Sequence, residues 1–315
     1  EATVSYAILF PGQGSQSVGM GADIFEAHPV LLGEIADSIL GWSLRTVCLE
    51  GPAEELTRTE HAQPALFAVS YALWLSFREA VVESPAAAAG HSLGEYTALT
   101  AAGALSFEQG LTLVASRGKH MASAADLEPS GMAALIGADE ALARKVVSES
   151  EAGGGRLQIA NLNAPGQVVV AGSTADLEWL EEHGKDYGVR RVIRLNVAGA
   201  FHSSFMSPAG DQLADVMADV SFAVPGFDVF SNVSARPHEP DTIDARLVEQ
   251  VTSPVRFEES LRNMTASGIG TFVHIGPGDV TAGLAKRTIP DANVFTVASL
   301  DDIDSAVESL STMDH

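Results

Sequence analysis

The chain has 315 residues, enough for one large or two modest domains that bury their own core. Hydrophobic residues make up 46% and charged residues 19%, which excludes disorder and fits an aliphatic interior rich in Ala and Gly. The 41 Asp and Glu against 18 Lys and Arg leave a formal charge of −23, which argues against nucleic acid or an anionic membrane surface as partner.

The chain begins Glu1-Ala2-Thr3, with no basic segment running into an apolar one, so no signal peptide is expected, and the missing initiator Met points to processing or trimming. No apolar run approaches the ~20 residues that span a bilayer. Tyr6 to Phe10 is a short apolar run that Pro11-Gly12 ends, a buried strand entering a loop. The turn Gly12-Gln13-Gly14-Ser15-Gln16 has no Lys at phosphate-loop spacing, and its other use is to offer backbone N–H groups to a developing oxyanion. Helical patterns dominate from Gly21 to Glu83, most clearly over Gln63 to Phe77. Within them Cys48 stands alone, a small buried hydrophobe that excludes a disulfide framework and a Cys-based metal site; a reducing, cytoplasmic compartment is expected.

Ala86 to Ala89 runs directly into Gly90-His91-Ser92-Leu93-Gly94. Alanines are poor strand formers, yet small residues suit a central strand crowded by helices on both faces. The GxSxG pattern then reads as a nucleophile elbow, a tight turn that lifts the Ser92 hydroxyl above the strand at a helix N-terminus. Ser106 and Gln109 make a capping box for a helix through Met121. On its wheel Phe107, Gly110, Leu113, Val114 and Met121 share one face with Arg117 in the middle, while Glu108, Thr112 and Lys119 lie opposite. A guanidinium there needs an anion, either an internal carboxylate or a ligand carboxylate held bidentately.

From Met132 the order is strand, helix capped by Asp139, hairpin around Ala164-Pro165-Gly166, helix from Ser173 to Gly184, and strand Arg190 to Leu195. This βαββαβ order is the ferredoxin-like unit, complete in about 65 residues. Pro129-Ser130-Gly131 and Gly199 look like hinges, so residues 129–197 are expected as an inserted small subdomain. Residues 1–128 and 198–315 then form a large α/β-hydrolase-like catalytic domain with a short parallel sheet. Later strands are expected near Val229 and over Phe272 to Ile275.

A serine nucleophile needs a base, and there are nine His. His91 adjoins the nucleophile in a tight turn. His28, His183, His238 and His315 sit in polar or terminal stretches and read as solvated. His61 and His120 lie on helices, and His274 fits a satisfied core position. His202, in Gly199-Ala200-Phe201-His202-Ser203, is one candidate among these.

Seven motifs occur in order: FPGQGSQ at Phe10 to Gln16, QPALF at Gln63 to Phe67, GHSLGEY at Gly90 to Tyr96, SRGKHM around Arg117, ANLNAPGQVVVAG from Ala160, AFHS at Ala200 to Ser203, and IGPG at Ile275 to Gly278. Together they resemble the malonyl-CoA:acyl carrier protein transacylase family, including polyketide synthase acyltransferases, over roughly residues 6 to 300. The resemblance implies that Ser92 is the acylated nucleophile and His202 its base, with a backbone carbonyl near Gln250 orienting the imidazole. It further implies an oxyanion hole from the N–H groups of Gln13 and Leu93, and Arg117 binding the acyl carboxylate. His91, Asn163 and Gln250 match substrate-side positions, and Phe201 before the His, with Leu93 after the nucleophile, resembles malonyl-selective members. No cofactor or metal is implied beyond the CoA thioester substrate and the phosphopantetheine of an acyl carrier protein. Arg190, Arg191 and Arg194, with Lys286 and Arg287, are candidates for a carrier-protein patch. An acyl-carrier-protein hydrolase, transfer of another acyl group on the same fold, and a non-catalytic docking module are the alternatives.

Overall fold

The computed structural model describes residues 5–313, so the N-terminal tripeptide and His315 lie outside the described residues. Ten strands are present among the described residues: β1 (Tyr6–Phe10), β2 (Ala87–Gly90), β3 (Ser130–Ile136), β4 (Gln158–Ala164), β5 (Gln167–Ser173), β6 (Arg191–Arg194), β7 (Asp228–Phe230), β8 (Val255–Arg256), β9 (Thr271–Ile275) and β10 (Asn293–Val297). They build an α/β fold with two five-stranded sheets. The first, in the order β10-β9-β1-β2-β7, is parallel throughout.

A parallel strand buried on both faces needs small or apolar side chains at every position. β1 and β2 meet that need, being buried along their whole lengths. Tyr6, Ile8, Phe10 and Ala88 face a core shared with the helices Thr59–Ala80 and Phe107–Ala125; Ala7, Leu9, Ala87 and Ala89 face the opposite one, with Phe257 and Phe272. The alanines of β2 therefore act as spacers between two helical layers, and packing overrides their weak strand propensity.

The second sheet has the order β6-β3-β5-β4-β8. β3, β4, β5 and β6 pair antiparallel with one another and enclose a separate core of Ala133, Leu135, Val146, Val170, Leu177 and Leu180. Asp139 caps the helix Glu140–Ala152 by accepting from the Leu142 N–H, and Ser173 forms a capping box with Asp176 for Thr174–His183. Each such cap stabilises its helix by about 1 kcal/mol. The expected hairpin is present at Gly166. The sheet is not complete within residues 129–197, however: β8, which lies outside that range, joins the edge of β4 in parallel through Asn161 and Leu162. That strand and β10 carried no readable signal, β8 because it is two residues long and β10 because it is a partly exposed edge. Among the described residues no helix is long and apolar enough to cross a membrane.

Candidate active site

The site is built on the turn that leaves β2. A Cβ at position 90 would lie 1.8 Å from the carbonyl carbon of Gly94, and one at Gly94 would lie 2.4 Å from the Phe10 carbonyl oxygen. Only glycine permits this approach, which folds the chain sharply into the helix Gly94–Ala101. Ser92, at the apex, adopts φ +52°, in the left-handed region that disfavours side chains. Two amide side chains hold it there: Asn232 Oδ1 accepts from the Ser92 N–H at 2.8 Å, and Gln250 Nε2 donates to the Ser92 carbonyl at 3.0 Å.

His202 also has positive φ, +57°, and is buried. Its Nε2 lies 2.7 Å from Ser92 Oγ, while Nδ1 lies 2.8 Å from the main-chain carbonyl of Gln250. A carbonyl can only accept, so the proton sits on Nδ1 and the Nε2 lone pair faces the serine hydroxyl. Burial, followed by the nearby Arg117 charge, pushes the His202 imidazole down to about 3, so it is neutral and able to take a proton at pH 7. No carboxylate touches it among the described residues.

Arg117 is 1% exposed. Nη1 donates to Gln63 Oε1 at 2.7 Å, and Nη2 donates to Gln250 Oε1 at 2.7 Å and to Ser92 Oγ at 3.0 Å. Its guanidinium carbon lies 5.5 Å from the Tyr96 ring centroid, and Nε has no partner. Of the two anions the helical wheel left open, no internal carboxylate lies within ion-pair distance among the described residues. The guanidinium therefore faces the cavity with spare donor capacity.

That cavity, about 320 Å³, is lined by Gln13, His91, Leu93, Asn163 and Phe201 together with Ser92, His202 and Arg117. The Gln13 side chain donates to Thr59 Oγ1 at 3.3 Å. Gln13 and Leu93 both line the cavity beside Ser92. His91 Nε2 lies 2.7 Å from Asn163 Oδ1, joining the elbow to β4, and its ring packs on Phe257. Gln250 departs from its expected substrate-side place: it is fully buried, does not line the cavity, and spends both ends of its amide on the protein.

Three residues behind the elbow escaped the sequence reading. Glu95, fully buried, accepts from Gln250 Nε2 at 2.6 Å and lies 2.6 Å from His238 Nε2. Asn232 donates to the Gly90 carbonyl at 2.8 Å. His238, expected in solvent, is buried against Glu95, while its neighbours Arg236, Pro237, Glu239 and Pro240 are exposed. His274 is the satisfied core residue expected, bonded to Thr281 Oγ1 and the Gly276 carbonyl.

The family model of the acyl transferase domain matches residues 7–306. A malonyl CoA-acyl carrier protein transacylase of Bacillus subtilis (strain 168) is 42% identical over 307 residues, covering 96% of each chain. The solved malonyl CoA-acyl carrier protein transacylase of Coxiella burnetii superposes with a TM-score of 0.93 at 34% identity, over 98% of each chain. A malonyl-transacylase solved in complex with its type II polyketide synthase acyl-carrier protein gives a TM-score of 0.92 at 37% identity, over 97% of this chain and 99% of that one. A serine elbow, a carbonyl-oriented histidine and a match that runs nearly end to end lead to one statement of kinship: the chain belongs to the acyl transferase domain family.

Proposed function

We propose that this protein moves a malonyl-type acyl group from CoA to the phosphopantetheine thiol of an acyl carrier protein through an acyl-Ser92 intermediate, in fatty acid or polyketide biosynthesis. The observation that carries this reading is Arg117: a buried guanidinium with no carboxylate partner, donating to the nucleophile inside the acyl cavity. An acyl group ending in a carboxylate supplies the missing anion and is turned toward Ser92 by the same contact.

The steps follow from the contacts. Ser92 Oγ attacks the thioester carbon as His202 Nε2 takes its proton, and the amides of Gln13 and Leu93 receive the oxyanion. Collapse breaks the C–S bond, and the departing CoA sulfur takes the proton from His202. The carrier thiol then gives its proton to His202 and attacks the acyl carbon. Ser92 Oγ leaves and recovers that proton. Phe201, 5% exposed and on the cavity wall, fills the space an α-methyl would need, so malonyl is preferred to methylmalonyl by the ~1–3 kcal/mol one methyl is worth.

Residues 129–197 are read as an inserted ferredoxin-like subdomain on an α/β-hydrolase-like body formed by residues 1–128 and 198–315; the strand order β6-β3-β5-β4 supports the former. For the carrier protein, Arg190 and Arg191 are exposed, as are Lys286 and Arg287 on the helix Val280–Thr288. Arg194 pairs with Glu181 and contributes least. The lone buried thiol of Cys48 supports a reducing, cytoplasmic setting.

Intact-protein mass after incubation with malonyl-CoA tests the central step. One malonyl adduct that maps to Ser92 and is absent from Ser92→Ala is expected; an unmodified wild-type protein would exclude the reading.

A further inference from the structure

Arg117 poses a problem that the acyl carboxylate solves only while substrate is bound. Among the described residues it is the sole buried cation, and an uncompensated buried charge is strongly destabilising. Only two carboxylates are buried among the described residues, Glu95 and Asp176, and Asp176 serves as a helix cap beside the second sheet. Glu95 is joined to Arg117 through one side chain. Gln250 Oε1 accepts from Arg117 Nη2 at 2.7 Å, and Gln250 Nε2 donates to Glu95 Oε2 at 2.6 Å.

The polarity of that amide is fixed at both ends, because a guanidinium can only donate and a carboxylate can only accept. Glu95 has a second neighbour in His238, whose Nε2 lies 2.6 Å from Glu95 Oε1 and donates to it, while the buried Nδ1 has no partner among the described residues.

We propose that Glu95 is the remote counter-ion of Arg117, coupled through the Gln250 amide, and that its charge sets how tightly the acyl carboxylate is held. This rests on the malonyl reading above. Compensation at one amide's distance keeps the empty site stable while leaving the cavity-facing edge of Arg117 open. It also moderates the grip on the acyl group, which must leave again for the carrier thiol. Glu95 touches no reacting atom and is a positioning and tuning residue.

The test is a thermal-unfolding cycle on the full chain with Glu95→Gln, Arg117→Met and the double variant, each with and without free malonate. Glu95→Gln also leaves donors facing donors, so the coupling rather than the single loss is diagnostic. Glu95→Gln is expected to lower Tm by roughly 5 °C or more, with a double-variant loss smaller than the sum of the single losses. Malonate should raise the Tm of Glu95→Gln more than that of wild type and leave Arg117→Met unmoved. Additive losses, or a malonate shift no larger in Glu95→Gln than in wild type, would overturn the proposal. If Glu95→Gln alone does not fold, recovery of folded double variant supports the coupling and its failure overturns it. The Ser92 adduct on wild type reports separately on the malonyl reading, since the cycle needs no turnover.

Discussion

Both units border one cavity, but the body around the parallel sheet supplies Ser92, His202 and Arg117, whereas the second sheet supplies Met132, Asn161, Asn163, Gln167 and Val169. The first set must be held to a fraction of an ångström for proton transfer, and it sits where two cores clamp β2 from both faces. The second set carries no group that titrates near neutrality and stands on a sheet with its own core. Chemistry is thus invested in the doubly buried sheet, and shape in the independently packed one. Substitutions on the two sides should differ accordingly in size and kind.

The largest effect is expected at the dyad. His202→Gln removes the base and should slow acylation of Ser92 by about 10³-fold or more, measured by single-turnover mass spectrometry. The same variant reports the electrostatics of burial. The folded imidazole titrates at about 3, well below the ordinary histidine value, so the stability gained by burying it neutral is complete above that ordinary value. As pH falls below ~6.5 the unfolded chain takes up a proton that the folded ring refuses, and that stability is lost toward pH 3. Comparing wild type with His202→Gln cancels the repulsion among the 41 acidic residues, which acidification also changes. Relative to the variant, wild type should lose ~1.4 kcal/mol per pH unit between about pH 6 and 4. Parallel Tm-against-pH curves would show that His202 is not buried neutral.

Arg117→Ala should come next. Acyl groups that end in a carboxylate lose a charge-assisted pair to a buried guanidinium, so malonyl transfer should fall about 100-fold while acetyl transfer persists. Competition between malonyl- and acetyl-CoA for Ser92 reads this directly. Equal losses for the two acyl groups would mean that Arg117 serves the elbow through its bond to Ser92 Oγ and not the acyl chain.

The contrast between the units also governs what could be read in advance. Ser92 was legible because GxSxG states a backbone requirement, the clash at Gly90 and Gly94, in residue types alone. Arg117 was legible because helical periodicity places it among apolar neighbours, and the capping box at Ser106 fixes the start of that helix. His202 was one histidine of nine until a family resemblance singled it out; its partner is a main-chain carbonyl 48 residues away, which leaves no mark on residue type. Glu95 and His238 were missed for a related reason. The run Arg236-Pro237-His238-Glu239-Pro240 looks solvated and its other four residues are exposed; only His238 turns inward, to Glu95. The small unit's hairpin and helices announced themselves through turns and caps, whereas β8 belongs to it by tertiary pairing alone.

On the second-sheet side, Asn163→Ala removes the one hydrogen bond that joins β4 to His91 of the elbow. A single hydrogen bond of ~1 kcal/mol predicts about a fivefold rise in KM for malonyl-CoA with little change in kcat. A fall in kcat comparable to that of His202→Gln would erase the division between chemistry and shape.

The smallest effect should lie at exposed charges on the surface. A carrier protein of the usual acidic kind is repelled at long range by an enzyme of charge −23, so attraction must come from a local patch. Arg190 and Arg191 form no ion pair among the described residues, unlike Arg194, whose guanidinium is bound by Glu181. Arg190 lies against Gly137, and Arg287 reaches Gly166 on the turn that pairs with it, so charges from both units gather at one hairpin tip. Such charges act on encounter rather than on the chemical step, and they are screened beyond ~8 Å at physiological salt. Charge reversal of Arg190 and Arg191 to Glu should therefore raise KM for the carrier protein about fivefold at low salt and less at high salt. Self-acylation from malonyl-CoA, which needs no carrier, should be unchanged. A carrier KM indifferent to both the substitutions and the salt would move the docking site away from the hairpin tip and leave the second sheet only its role as a wall.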